Sequence, residues 1–252
     1  MTRRATPGIW IRSLVFWVLF AGSLLVFAPL VLLTFPFPYR VRYAVATRWG
    51  RFSILALRLV CRLDYRVEGR EHIPAEPAIV FSKHQSAWET LALQEIFPPQ
   101  VWVLKRELMW IPLFGWGMAL LEPIPVDRGA GRRAVVKLVR EGIERLKKGR
   151  WVIVFPEGTR VPPCTRGRYH IGGAVLAEKS GAPVVPVAHN AGEFWPRRSL
   201  LKWPGTIDVV IGPPIATRGK PAARILAEAE EWIESTMARI SHCDQGSDIT
   251  DR

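Results

Sequence analysis

No aspartate or glutamate occurs before Asp64 in this chain of 252 residues. Cysteine is scarce as well. The three present (Cys61, Cys164, Cys243) are odd in number and far apart, which argues against a disulfide framework or a zinc ribbon and for a reducing compartment. Several familiar catalytic loops are missing: there is no G-x-S-x-G elbow, no G-x-x-x-x-G-K-[ST] loop and no G-x-G-x-x-G. His189 and Glu193 do not have the spacing of a zinc-binding helix, and His72, His170 and His242 lack companions. These four histidines read as structural or solvent-exposed, and no metal is expected.

What is present excludes disorder. Hydrophobic residues make up 49% of the chain and charged ones 23%, enough for a packed core. The net charge of +13 is unevenly placed. Nine arginines and no acid lie between Met1 and Arg62, whereas the rest of the chain carries 26 basic and 22 acidic groups. A nucleic-acid surface would spread its basic stripe over the folded domain, so no nucleic-acid partner is expected. Positive charge bracketing the most apolar stretch suits an anionic lipid surface, and the eleven tryptophans, several beside that stretch or beside arginine, agree with an interfacial position.

Leu14–Leu33 is uncharged and about as long as the ~20 residues a helix needs to cross a bilayer core. It exceeds the apolar core of a secretory signal and leaves through Thr34-Phe-Pro-Phe-Pro-Tyr39 without a small-residue cleavage site, so an uncleaved membrane segment is expected. Pro29 and the flanking arginines leave open whether it spans or kinks and returns. From Val41 to Arg62, apolar residues recur every three or four positions with arginine between them, the pattern of a basic amphipathic helix in the headgroup region. A helix packed on the following domain would show a similar pattern.

Beyond Asp64, β-branched runs alternate with helical periods. Strands are expected at Tyr65–Glu68, Ala78–Ser82, Val101–Leu104, Pro123–Val126, Trp151–Phe155, Val184–Val187 and Ile207–Ile211. Helices are expected at Ala87–Phe97, Arg132–Lys148, Ala174–Ser180 and Ala222–Ile240. This alternation predicts an α/β fold with a mostly parallel sheet flanked by helices, preceded by the hydrophobic membrane-associated helical segment. The division by composition is 1–62 (membrane-anchoring), 63–240 (folded domain) and 241–252 (polar tail). Ligands of such sheets bind beyond the carboxyl ends of the strands.

His84 follows the second run, and Glu89 lies five residues on, in the first turn of a helix. Imidazole is the side chain suited to take a proton near neutral pH, and a carboxylate on its other nitrogen fixes the tautomer. Ser86-x-x-Glu89 is equally a capping box, in which Glu89 satisfies amides at the helix start. After Trp151–Phe155 comes Pro156-Glu-Gly-Thr-Arg160, a turn with a glycine, a hydroxyl and a guanidinium that can hold a phosphate. Pro-Glu-Gly is also ordinary turn chemistry. Lys105-Arg106 and Asp127-Arg128 add cations after two further strands, so a base and several positive groups share one sheet edge. That suggests a phosphorylated substrate with a hydroxyl to be activated.

The pair His84…Glu89 with Phe155-Pro-Glu-Gly-Thr-Arg160 resembles the glycerophospholipid acyltransferases, in particular the bacterial 1-acyl-sn-glycerol-3-phosphate acyltransferases. Ile124-Pro-Val-Asp-Arg128 and Val184-Val-Pro-Val187 are similar to two further motifs of that family, and the resemblance covers about 64–195. It implies an acyltransferase-like fold and acyl transfer from acyl-CoA or acyl-carrier protein, as co-substrate and without a cofactor, to lysophosphatidate. It further implies His84 as base, Glu89 as its orienter, and Arg128, Glu157, Gly158, Thr159 and Arg160 as substrate-binding residues. Lys105 joins them by its place at the same edge. The family most often has Asp where this chain has Glu89. Location at a bacterial inner membrane, catalytic domain on the cytoplasmic side, is the expectation. Another lysolipid as acceptor (a lyso-ornithine lipid or lysophospholipid) and a catalytically inactive lipid-binding module are the alternatives.

Overall fold

The structure is a computed structural model that describes residues 5–242. Helix α1 (Pro7–Leu33) starts with Pro7 in its first turn, where a missing N–H costs nothing. It continues through Pro29, and the chain turns only at 34–38, where Pro36 and Pro38 cannot extend a helix. Helix α2 (Tyr39–Cys61) then runs back beside it and stops at Arg62, which takes a left-handed conformation. The fold continues with β1 (Leu63–Glu68), β2 (Ile79–Ser82), α3 (Trp88–Ile96), β3 (Gln100–Lys105), α4 (Phe114–Ala119), β4 (Ile124–Val126) and α5 (Arg132–Lys147). It closes with β5 (Trp151–Val154), α6 (Gly172–Ser180), β6 (Val184–His189), β7 (Gly205–Ile211) and α7 (Ala222–Ile240).

The seven strands form one sheet in the order β1-β7-β6-β2-β5-β3-β4. Every pairing is parallel except β6 with β7. The central strands β2, β5 and β6 are buried throughout, as expected when helices cover both faces. Alternation along each strand sorts side chains between two layers. Val80, Ile153 and Val187 pack with Phe16, Tyr43, Leu57 and Leu91 of α1, α2 and α3. Ile79, Phe81, Val152 and Val154 pack with Leu138, Leu176, Ile225 and Ile233 of α5, α6 and α7.

The expected strands and helices are all present, with small shifts at their ends. Residues 106–121, read as a connection, contain a 3-10 turn (Arg106–Trp110) and α4; elements of one turn carry too little periodicity to show in sequence. Two expectations need correction. The division at residue 62 marks a change of composition and not of packing, because α1 and α2 share the core of the sheet. Accordingly α2 is a packed helix, with Tyr43, Ile54, Leu57 and Cys61 buried and Arg58 paired with Asp64 at 3.0 Å. Cys61 is a buried free thiol. Of the polar tail, residues 243–252 lie outside the described residues.

Helix α1 docks on the domain at both of its ends. Near the start, Trp17 Nε1 donates to the Leu200 carbonyl at 2.9 Å and the Lys202 amide donates to Ser13 Oγ at 2.9 Å. Near its end, Val31 lies against Gly117 of α4. Between these contacts one face is left open: Leu14, Val18, Leu25 and Leu33 are each more than 60% exposed.

Candidate active site

The strands β2, β5, β3 and β4 are neighbours, parallel, and end on the same edge. The segments that follow them carry, in that order, His84, the turn 155–160, Lys105 and Arg128. Adjacent strands are ~4.8 Å apart, so these groups span roughly 14 Å along one edge, within reach of long side chains.

His84 leaves β2 and its ring stacks on Phe155 from β5, centroids 4.1 Å apart. Its Nδ1 lies 2.7 Å from Glu89 Oε1. Glu89 has no exposed surface and also accepts from the amides of Gln85 at 3.2 Å and Ser86 at 2.9 Å. Burial works against its ionisation, but the His84 hydrogen bond, the nearby His189 and the Ser86 amide outweigh it and hold the carboxyl below its usual range. An ionised Glu89 accepts the Nδ1–H, which leaves Nε2 of His84 with its lone pair free. Ser86 Oγ meanwhile accepts from the Trp88 amide at 3.1 Å. One carboxylate thus contacts both the imidazole and the amides just before the helix, while the helix itself starts after Ala87 without a side-chain cap and without the reciprocal bond of a capping box.

In the turn after β5, the Gly158 amide donates to the Phe155 carbonyl at 2.9 Å. Gly158 has φ +65, a left-handed conformation in which an L side chain would be strained and would crowd His170. Thr159 is exposed and Arg160 half-buried, and the Arg160 side chain has no carboxylate partner among the described residues. Glu157 is placed differently from the expected substrate contact. Its side chain is fully buried, with Oε2 accepting the His84 amide at 2.8 Å and Oε1 bound to Lys83 at 2.7 Å. A carboxylate there would also repel a phosphate, so Glu157 ties the turn to the His84 backbone.

Lys105 ends β3 half-exposed, with Nζ 3.4 Å from Glu107. Arg106 pairs with Asp127 at 3.4 Å and so links the ends of β3 and β4. Arg128 opens a 3-10 turn after β4; its side chain lies outside the described ones.

Two residues at the site carried no motif signal of their own. Lys83, beside His84, is almost fully buried. His189, read from sequence only as structural or exposed, is buried at the end of β6. Its Nε2–H donates to the Lys83 carbonyl at 2.8 Å, and it lies 3.9 Å from Glu89 Oε2. Burial lowers the His189 pKa, against the pull of Glu89. Its position directly after a buried strand was the available signal. Of the other histidines, His72 Nδ1–H donates to the Ile211 carbonyl at 2.8 Å, and His242, expected to lack a companion, pairs with Glu193 at 2.9 Å.

A family model described as Acyltransferase matches residues 64–190. The chain is 46% identical over 241 residues to the 1-acyl-sn-glycerol-3-phosphate acyltransferase of Pseudomonas aeruginosa, covering 93% of each chain. It is 34% identical to the protein of the same name from Saccharomyces cerevisiae, covering 77% of this chain and 66% of that one. The crystal structure of the 1-acyl-sn-glycerophosphate (LPA) acyltransferase PlsC from Thermotoga maritima has a similar fold, with TM-score 0.78 and 24% identity, covering 94% of this chain and 98% of that one.

Proposed function

Because the chain belongs to the acyltransferase family, we propose that this O-acyltransferase moves a fatty acyl group from a thioester donor to the free hydroxyl of lysophosphatidate (1-acyl-sn-glycerol 3-phosphate), forming phosphatidate. The donor is acyl-CoA or acyl-carrier protein. The observation that carries the chemistry is His84 Nδ1 held 2.7 Å from a buried, ionised Glu89. With Nδ1–H committed, Nε2 takes the proton of the acceptor hydroxyl as its oxygen attacks the thioester carbonyl. The C–O bond forms, the C–S bond breaks, and the thiol leaves with the proton that His84 returns. A positioned base contributes ~10²–10⁴-fold to such a step. Arg160, Lys105 and Arg128 supply the positive charge for the acceptor phosphate, and Gly158 and Thr159 shape the turn that receives it.

The enzyme works at a membrane, on this reading at the cytoplasmic face of a bacterial inner membrane. Helix α1 has the length and apolarity of a membrane segment, with only 17% of its most apolar window buried. Docking of its other face along the domain supports entry into one leaflet rather than a full crossing. Trp110 and Trp116, both more than half exposed in the segment after β3, lie at the catalytic edge and suit the same interface.

The test is thiol release from acyl-CoA and acyl-carrier protein, measured with and without lysophosphatidate and followed by mass spectrometry of the lipid. Release that depends on lysophosphatidate and yields phosphatidate is expected. Release unchanged by lysophosphatidate but stimulated by another lysolipid overturns the acceptor assignment.

A further inference from the structure

Lys83 is the residue immediately before His84, only 1% exposed, and its ammonium is fully occupied. Nζ donates to Glu157 Oε1 at 2.7 Å, to Glu234 Oε1 at 2.8 Å and to the Thr165 carbonyl at 3.1 Å. An ammonium has three protons, so nothing is left over for a substrate. Glu157 passes the connection on, since its second oxygen accepts the His84 amide at 2.8 Å. Glu234 belongs to α7 and also accepts the Tyr169 hydroxyl at 2.8 Å. A chain of buried polar contacts thus runs from the C-terminal helix through Lys83 and Glu157 to the backbone of His84.

We propose that Lys83 is a positioning residue for acyl transfer, which uses Glu157 and Glu234 to lock the phosphate-binding turn and the His84 backbone in one arrangement. The inference rests on the functional reading given above. Two carboxylates meet one ammonium here. Removing the ammonium leaves Glu157 and Glu234 facing each other in a buried place, where like charges within a few ångströms cannot both stay ionised without separating. Burial followed by the Glu234 charge already pushes the Glu157 pKa up against the pull of Lys83, so the carboxyl tolerates little further loss of compensation. Glu157 lies in the turn of residues 156–160, so a shift of its side chain is passed to that turn and to Arg160. A misplacement of about 1 Å is worth up to ~10²-fold in rate.

Three variants of the full-length protein test this on mixed micelles holding lysophosphatidate. Lys83→Met removes the charge at similar length. It is expected to lower kcat by about ten- to a hundredfold and to raise KM for lysophosphatidate, with KM for acyl-CoA unchanged. Lys83→Met combined with Glu234→Gln restores the net charge of the cluster, and the new amide can donate to Glu157. It is expected to return kcat to within about threefold of wild type. A purely structural role predicts a lower melting temperature, but kcat and both KM values near wild type well below melting; that result overturns the proposal, as does failure of the double variant to recover rate.

Should Lys83→Met not fold, Glu234→Ala alone is read, since it keeps the Lys83–Glu157 pair and removes the acceptor that ties it to α7. A selective rise in lysophosphatidate KM supports the proposal and unchanged constants overturn it. Wild-type protein inactive on lysophosphatidate would instead fail the functional reading, and the same comparison is then run with the lysolipid that it does accept.

Discussion

Glu89 Oε1 lies 2.7 Å from His84 Nδ1, and both oxygens of the same carboxylate also receive the Ser86 amide. The carboxylate thus touches both the imidazole and the chain that leads into α3, and its variants separate the two contributions. Gln can still accept the Ser86 amide, but its amide is neutral and cannot stabilise an imidazolium. Glu89→Gln is expected to keep the melting temperature within a few degrees while lowering kcat by at least ~10²-fold, the low end for a disabled general base. Glu89→Asp keeps the charge and is expected to retain much more of the rate. Steady-state kinetics beside a thermal melt check this; equal, near-wild-type rates for both variants would leave Glu89 as a backbone contact alone.

Arg160, one residue before the Val161 amide that donates to the His84 carbonyl, carries a guanidinium with no carboxylate partner among the described residues. Arg160→Ala is expected to raise KM for lysophosphatidate about tenfold or more, the loss of one charge-assisted contact. The KM of the acyl donor should change little. A rise confined to the donor moves Arg160 to the donor side of the site.

Lys202 is 1% exposed, and its ammonium sits over the rings of Trp17 at 4.2 Å, Trp195 at 4.5 Å and Phe16 at 5.4 Å. Burial lowers its pKa from 10.5 to about 7. Between those values the unfolded chain holds a proton that the folded chain does not, so this group makes stability rise with pH across that window and costs stability below it. Lys202→Met, which keeps the packing between α1 and the domain, is expected to flatten the rise of melting temperature from about pH 7 to pH 10. Parallel slopes for the two proteins would show that Lys202 stays protonated.

Deleting α1 and α2 is a poor test of membrane binding, because Phe16, Tyr43 and Leu57 belong to the core and each contributes ~1.5–3 kcal/mol by burial. Single charges on the open face of α1 are better. Val18 and Leu25 are 64% and 65% exposed, so Val18→Asp and Leu25→Asp should fold normally. Each should weaken binding to anionic vesicles by roughly 10²-fold, the scale of placing a carboxylate at an apolar membrane depth. Vesicle flotation reads the effect, and undiminished flotation of both variants would put the membrane contact elsewhere.

Local pattern was enough for much of this protein. Helix α7 occupies Ala222–Ile240 as its apolar period requires, and the buried runs that became β2, β5 and β6 are recognisable because a strand covered on both faces must be apolar throughout. The edge where those strands end then brings His84 near Phe155 with no further information. Other features depend on residues that lie far apart in the chain. Glu157 reads as a substrate ligand within its motif, yet it turns inward because Lys83 and the His84 amide are there to satisfy it. Glu234 is one more acid on an amphipathic helix until α7 packs against β6 and brings it to Lys83, 151 residues away. Likewise, the period of α2 shows that one face is apolar but not what covers it; only packing decides between lipid headgroups and the neighbouring helices. Periodicity and motif spacing express short-range geometry, whereas the partner of a buried charge is chosen by whatever tertiary neighbour can compensate for its lost hydration.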